Sequence, residues 1–237
     1  MGVGTRHRFL GIAGILSAAI MLAAGFIIAP LPTGTGDSAS KVASVLISNL
    51  GAAKAGGFLM LLATLPLMVF AAGVTDVLNR SESCARFLNR VAFGCAIAAV
   101  GLYAAGQSVL HLAAGIAQGT AQETVRAVYG VWNSIAFTGH AFLGLFVLTI
   151  SVVALAAHVF PRWVRWMGLV SGTSLSLGTL ALSGGLDALG PLFLIGWYLS
   201  LVWIVIAGCL FLIGKVAAQG LSADAGSGRS EALARPI

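Results

Sequence analysis

The sequence predicts an all-α, polytopic integral membrane protein: a bundle of six transmembrane helices with a short amphipathic helix outside the membrane. Of the 237 residues, 59% are hydrophobic and 8% are charged, whereas a soluble domain has about 25% charged residues. Six apolar segments have the roughly 20 residues that a helix needs to cross a bilayer core of ~30 Å. The basic residues gather in alternate connections between these segments, as in multi-pass proteins.

The six predicted spans cover approximately residues 9–30, 53–78, 91–118, 128–158, 163–184 and 192–214. Arg6 and Arg8 precede the first span, as they would in a signal peptide. Its apolar run of about 20 residues exceeds the 7–15 typical of a signal sequence, however. We therefore expect the first span to be retained and residues 1–215 to form one transmembrane domain.

The connection between the first two spans, residues 31–52, is the longest on its side of the membrane. Asp37 and Ser38 can cap a helix there. Val42 and Leu46 then recur at helical spacing. We expect a short amphipathic helix that lies on the outer surface before the second span.

Small residues are spaced for close contact between helices. Gly115 and Gly119 form a GxxxG pattern, as do Gly168 and Gly172. This spacing lets two helix backbones approach each other closely. It indicates a tightly packed bundle and leaves the oligomeric state open.

The distribution of basic residues predicts the orientation. With six crossings, only Lys41, Lys54 and Arg126 of the 13 lysines and arginines fall on one side. The positive-inside rule then places both termini in the cytoplasm and the chain in the cell (inner) membrane. Residues 216–237, rich in small and polar residues, should form a disordered cytoplasmic tail. On this interpretation the net charge of +6 reflects topology and predicts no nucleic-acid partner.

Ionisable groups inside membrane spans are costly, and for that reason they indicate functional sites. Only two histidines lie deep in the predicted spans. Polar residues form one stripe on the third span and another on the fourth, since helical spacing places each set on one face. The candidate ligand-binding residues are Tyr103, Gln107, His111, Tyr129, Asn133 and His140. Counting from the span ends places His111 and His140 at similar height in the outer half of the membrane.

Several functions are compatible with these two stripes. The histidines could simply hydrogen-bond neighbouring helices and fix packing. The leading functional hypothesis is a pocket in the outer half, between the third and fourth spans, for a small hydrophobic or lipid-like ligand. An alternative is a membrane redox protein that holds haem b between His111 and His140. Another is a small transporter or an accessory subunit of a membrane complex.

Enzymatic activity is not favoured by the sequence. Proton chemistry inside a membrane would ordinarily use a buried carboxylate, but Asp76, Glu123 and Asp187 fall at span ends or in loops. The three cysteines have neither a CxxC pair nor metal-type spacing. No catalytic residue, metal site or cofactor is therefore predicted beyond the haem alternative, and the lipid bilayer is the expected partner.

The stretch HVFPRWVRWMGLVSG, His158–Gly172, resembles a motif of a bacterial family of six-helix membrane proteins described as a domain of unknown function. The shared pattern is Pro161-Arg162-Trp163 followed by Trp166 and Gly168-Leu169. The segment that runs from the short outer helix into the second span is also similar to this family. The resemblance covers about residues 9–214 and implies a six-helix fold and a membrane location, without an assigned activity.

Overall fold

The computed structural model describes residues 3–31, 37–79, 83–183 and 185–214. Within these ranges all regular structure is helical. The seven α-helices are α1 Val3–Ile28, α2 Ala39–Ser48, α3 Leu50–Leu78, α4 Ser83–Ile116, α5 Gln122–Ala157, α6 Arg162–Ser183 and α7 Gly190–Leu212. A short 3-10 turn, Asp187–Leu189, leads into α7. The predicted cytoplasmic tail, 216–237, lies outside the described residues.

Five of the described helices are long and apolar enough to cross a membrane, namely α1, α3, α4, α5 and α7. This supports a multi-pass membrane protein. At 22 residues, α6 is about 33 Å long and could also reach across a bilayer core. Its serines and threonines, from Ser171 to Thr179, make it less apolar than the other five.

The six long helices form a closed ring. Each packs against the next in the chain, and α7 returns to pack against α1. Neighbours run antiparallel. On α1, for example, Gly11 lies against Gly208 near the end of α7, and Gly25 lies near Trp197 close to its start. The ring encloses a continuous core that includes Phe70, Phe146 and Trp203, each fully buried.

Helix α2 is present where the sequence predicted a short amphipathic helix. Ser38 is its N-cap and accepts a hydrogen bond from the backbone N–H of Lys41 at 3.3 Å, which satisfies a free donor of the first turn. Its buried face carries Val42 and Leu46. These side chains join a second, smaller apolar cluster with residues of α4 and α5, including Trp132. The helix is therefore held against α5, the helix that it contacts most.

Glycines allow the closest contacts in the ring. At α5–α6, a Cβ on Gly172 would lie 2.6 Å from the Gly144 carbonyl oxygen. Gly168 packs against Ser151 of α5 and Trp203 of α7, where the Trp203 indole donates to the Val164 carbonyl at 3.1 Å. The predicted close contact at Gly168 and Gly172 is thus confirmed. At Gly115 and Gly119, by contrast, an added Cβ would meet no described atom within 4 Å.

Basic residues of the described helices gather at one end of the ring, here called the basic end. The starts of α1, α4 and α6 meet there, because alternate members of an antiparallel ring point the same way. They carry Arg6, Arg8, Arg86, Arg90, Arg162 and Arg165. At this end Arg6 forms an ion pair with Asp76, near the end of α3. Lys41, Lys54 and Arg126 lie at the opposite end, near the starts of α2, α3 and α5.

Candidate functional site

A groove lies between α2 and α5 at the end opposite the basic end. Its volume is about 440 Å³. We call it the α2–α5 groove. Its lining residues include Asp37, Val42, Arg126, Tyr129, Asn133 and Ser134. Two of the six predicted ligand-binding residues, Tyr129 and Asn133, are therefore in this groove.

Charges of both signs lie at the rim of the α2–α5 groove. The Asp37 carboxylate accepts a hydrogen bond from the Lys41 ammonium at 2.6 Å. The Arg126 guanidinium lies 3.8 Å from the Glu123 carboxylate and is 43% exposed. Each pair includes a well-exposed partner, Lys41 at 60% and Glu123 at 80%, so both pairs are weak. Asp37 and Arg126 can therefore still meet a charged group of a ligand.

The interior of the groove is apolar and aromatic. Val42 is buried there, and the Tyr129 ring packs against the Trp132 ring with centroids 4.8 Å apart. Asn133 is 8% exposed and brings an amide to this apolar wall. The arrangement suits an amphipathic molecule whose polar group meets the rim and whose apolar part lies against α5.

Part of this groove could have been found in the sequence. One helix face, about 60° wide, carries Arg126, Tyr129 and Asn133. The polar stripe predicted on the fourth span therefore extends to Arg126. Asp37 and Val42 could not be assigned to the site, because only the packing of α2 against α5 brings them there.

Tyr103 and His140 lie together, deeper in the bundle and away from the lining of the groove. Their ring centroids are 5.2 Å apart. The His140 ring also contacts the Phe193 ring at 5.2 Å and the Trp197 ring at 4.5 Å, both on α7. Its Nδ1 is 2.6 Å from the Ala136 carbonyl oxygen. His140 is thus surrounded by aromatic rings and bonded to its own helix.

Gln107 and His111 lie on a third surface, where α4 meets α3. His111 Nδ1 is 2.7 Å from the Gln107 carbonyl oxygen. Both side chains pack against Gly57 of α3, where a Cβ would lie 3.0 Å from the His111 ring and 3.2 Å from Gln107 Oε1. The absence of a side chain at Gly57 makes room for them. The six predicted residues therefore belong to three neighbouring environments and do not line one pocket.

The two histidines are not at similar height. Gly139 lies against Tyr103, and Gly106 lies against Ile135. With this pairing of the antiparallel helices α4 and α5, His140 lies at the level of Leu102 on α4. His111 is nine residues further along α4, so the two histidines are about 14 Å apart along the helix axis. Counting from predicted span ends misplaced them, because α5 begins at Gln122, several residues before the predicted start. Two imidazoles that hold one haem iron must lie close together, so His111 and His140, placed at different depths, do not suit a haem b site.

Three buried polar atoms of α4 and α5 have no hydrogen-bond partner in the described structure. They are the Tyr103 hydroxyl, Gln107 Oε1 and Trp132 Nε1. Trp132 Cδ1 would be 3.8 Å from a Cβ on Gly106, which places the indole beside the α4 polar stripe. An unpaired buried polar group is destabilising and is a common sign of a bound water or ligand. The unpaired N–H of Trp132 is visible only in the structure.

The described residues hold no group of three or more His, Cys, Asp or Glu side chains that could bind a metal ion. Comparisons of the chain with models of known families, with curated proteins and with solved structures found no match.

Proposed function

We propose that the chain crosses the membrane six times, with α6 as the fifth crossing. In support of this, α6 lies in the ring between α5 and α7 and runs antiparallel to both. Three of its hydroxyl groups face inward, since Ser171, Ser176 and Thr179 are buried, whereas Thr173 is exposed. Its outer side carries large apolar residues, such as Val170 and Leu180 at 53% and 63% exposed, which suit contact with lipid.

The positive-inside rule favours a cytoplasmic location for the basic end. With six crossings, both termini are then cytoplasmic. The α2–α5 groove and α2 lie on the external side, and α2 is the external amphipathic helix of the sequence prediction. The resemblance of His158–Gly172 to a six-helix family agrees with this number of crossings and gives no information on a ligand.

Within this topology, the function proposed is the binding of a small amphipathic, lipid-like molecule in the α2–α5 groove. One observation carries the proposal: a groove with Asp37 and Arg126 at its rim and Tyr129 and Asn133 on an apolar wall. Its volume of about 440 Å³ falls in the range of roughly 300–1,000 Å³ usual for ligand pockets. The opposite charges at the rim match a zwitterionic head group, while the apolar wall matches the start of an acyl chain.

A lysophospholipid with a zwitterionic head group and a fluorescent label on its acyl chain provides a test. We expect saturable binding to the purified full chain in detergent. Asn133→Leu removes the amide from the groove wall at similar volume, and should weaken binding roughly fivefold, the usual effect of losing one hydrogen bond. The matched control is Thr149→Val on the same helix, because the Thr149 hydroxyl is exposed and bonds only to the Leu145 carbonyl.

Wild-type affinity in the control and a weakened affinity in Asn133→Leu, at equal thermal stability, would support the groove. An Asn133→Leu protein that binds the probe as tightly as the wild type would contradict it. The absence of saturable binding to the wild type would contradict it as well.

A further inference from the structure

A second cavity lies at the basic end, between the end of α3 and the start of α4. Its volume is about 250 Å³, and we call it the α3–α4 cleft. Its lining residues include Thr75, Asp76, Asn79, Asn89, Arg90 and Phe93. The cleft is at the other end of the bundle from the α2–α5 groove, and its residues are not among the candidate ligand-binding residues of the sequence.

Asn89 is the most buried polar side chain of the cleft, at 1% exposed. Its amide nitrogen donates to the Thr75 carbonyl and to Asn79 Oδ1 at 2.8 Å. These bonds hold the amide in one orientation and connect α4 to α3. Its Oδ1 has no hydrogen-bond partner in the part of the chain that the structure describes. The cleft therefore contains a fixed acceptor that lacks a donor, a situation that buried polar groups usually avoid.

The two charged groups of the cleft differ in their pairing. The Asp76 carboxylate is paired with Arg6 of α1, so a cation already lies beside it. Arg90 lines the cleft but forms no ion pair with any described residue. A guanidinium offers a planar set of donors that matches a phosphate group. The cleft thus has one available cation beside one available acceptor.

The surroundings of the cleft are those of a lipid-facing surface. Phe93 adds an apolar side chain to the lining, about one turn further along α4 than Arg90. On the neighbouring surface of α4, Phe87 and Val91 are 69% and 39% exposed. A polar cleft that is flanked by exposed apolar side chains and lies at a basic helix end is expected at the depth of the lipid head groups.

We infer that the α3–α4 cleft binds the head group of a phospholipid of the adjacent leaflet. Arg90 holds the phosphate, Asn89 Oδ1 accepts a hydrogen bond from an N–H or O–H of the head group, and an acyl chain runs along Phe93. The site selects phospholipids that carry such a donor, among them phosphatidylglycerol and phosphatidylethanolamine. Phosphatidylcholine has the phosphate but no donor.

Native mass spectrometry of the purified full chain can measure the binding of these three lipids with identical acyl chains. We expect wild-type protein to bind phosphatidylglycerol and phosphatidylethanolamine several times more tightly than phosphatidylcholine. Arg90→Gln should weaken phosphatidylglycerol binding roughly tenfold, as the loss of a charge-assisted contact does. Arg86→Gln is the matched control, because Arg86 is an exposed arginine one turn earlier on α4 and is not part of the cleft lining.

Wild-type binding in Arg86→Gln together with weakened binding in Arg90→Gln supports the site. Equal weakening in both variants would overturn it in favour of a diffuse basic surface. Equal affinity for all three lipids in the wild type would also overturn it, and this comparison needs no variant. If millimolar inorganic phosphate displaced bound phosphatidylglycerol, the ligand would be free phosphate and the proposal of a lipid site would be overturned. None of these results depends on whether the α2–α5 groove binds a ligand.

Discussion

At the scale of single residues, the polar side chains within the helices differ in whether their hydrogen bonds are satisfied. His111 and His140 each place Nδ1 near the carbonyl oxygen four residues earlier in the same helix. Tyr103 is 1% exposed and its hydroxyl has no partner in the described structure. The sequence identified these residues, because polar groups in apolar spans stand out. It did not show which of them are paired, since that depends on the neighbouring helices.

This difference predicts the stability of two variants. Tyr103→Phe removes an unpaired buried hydroxyl, so we expect the free energy of unfolding in detergent to stay the same or rise by up to about 1 kcal/mol. Trp203→Phe removes a bonded and fully buried indole N–H together with part of its ring. It should lower the free energy of unfolding by about 2 kcal/mol or more. Thermal unfolding of the two proteins in the same detergent measures both effects, and a similar loss in both would show that the Tyr103 hydroxyl is paired.

At the scale of helices, the sequence predicted where the long apolar segments lie better than which faces meet. All six predicted segments correspond to a long helix. Of the two GxxxG patterns, Gly168 and Gly172 make close contacts, whereas Gly115 and Gly119 do not. The pattern is the same in both helices. The rotation of each helix about its axis decides the contact, and that rotation is set by packing with its neighbours.

The two glycine pairs give a matched test of this packing. A Cβ on Gly168 would lie 2.6 Å from the Trp203 indole nitrogen and closer still to the Ser151 hydroxyl. Gly168→Ala should therefore lower the free energy of unfolding by about 1–3 kcal/mol, as overpacking does. Gly115→Ala meets nothing within 4 Å and should be neutral or stabilising by up to about 1 kcal/mol, since alanine favours a helix. Unfolding in detergent compares them, and equal effects would contradict the α5–α6–α7 contact.

At the scale of the whole molecule, composition and segment length predicted an all-helical, multi-pass protein because the spacing of apolar segments is a local property. The return of α7 to α1 and the packing of α2 against α5 are not local. These two contacts form the closed ring and the α2–α5 groove. Because the sequence does not reveal them, it placed the ligand site between the third and fourth spans. The predicted residues Tyr129 and Asn133 line this groove, whereas Asp37, on its other side, could not be added from the sequence.

We propose a ring of six crossings that places the α2–α5 groove on the external side and the α3–α4 cleft on the cytoplasmic side. Labelling of single cysteines in intact cells with a membrane-impermeant maleimide tests it most directly, in a chain whose three native cysteines are replaced by serine. Two variants should react from outside: Ser40→Cys, at an exposed position of α2, and Leu186→Cys, after the end of α6. His158→Cys, before α6, should react only after the membrane is permeabilised. Reaction of Leu186→Cys and His158→Cys from the same side would show that α6 does not cross, and would contradict the account.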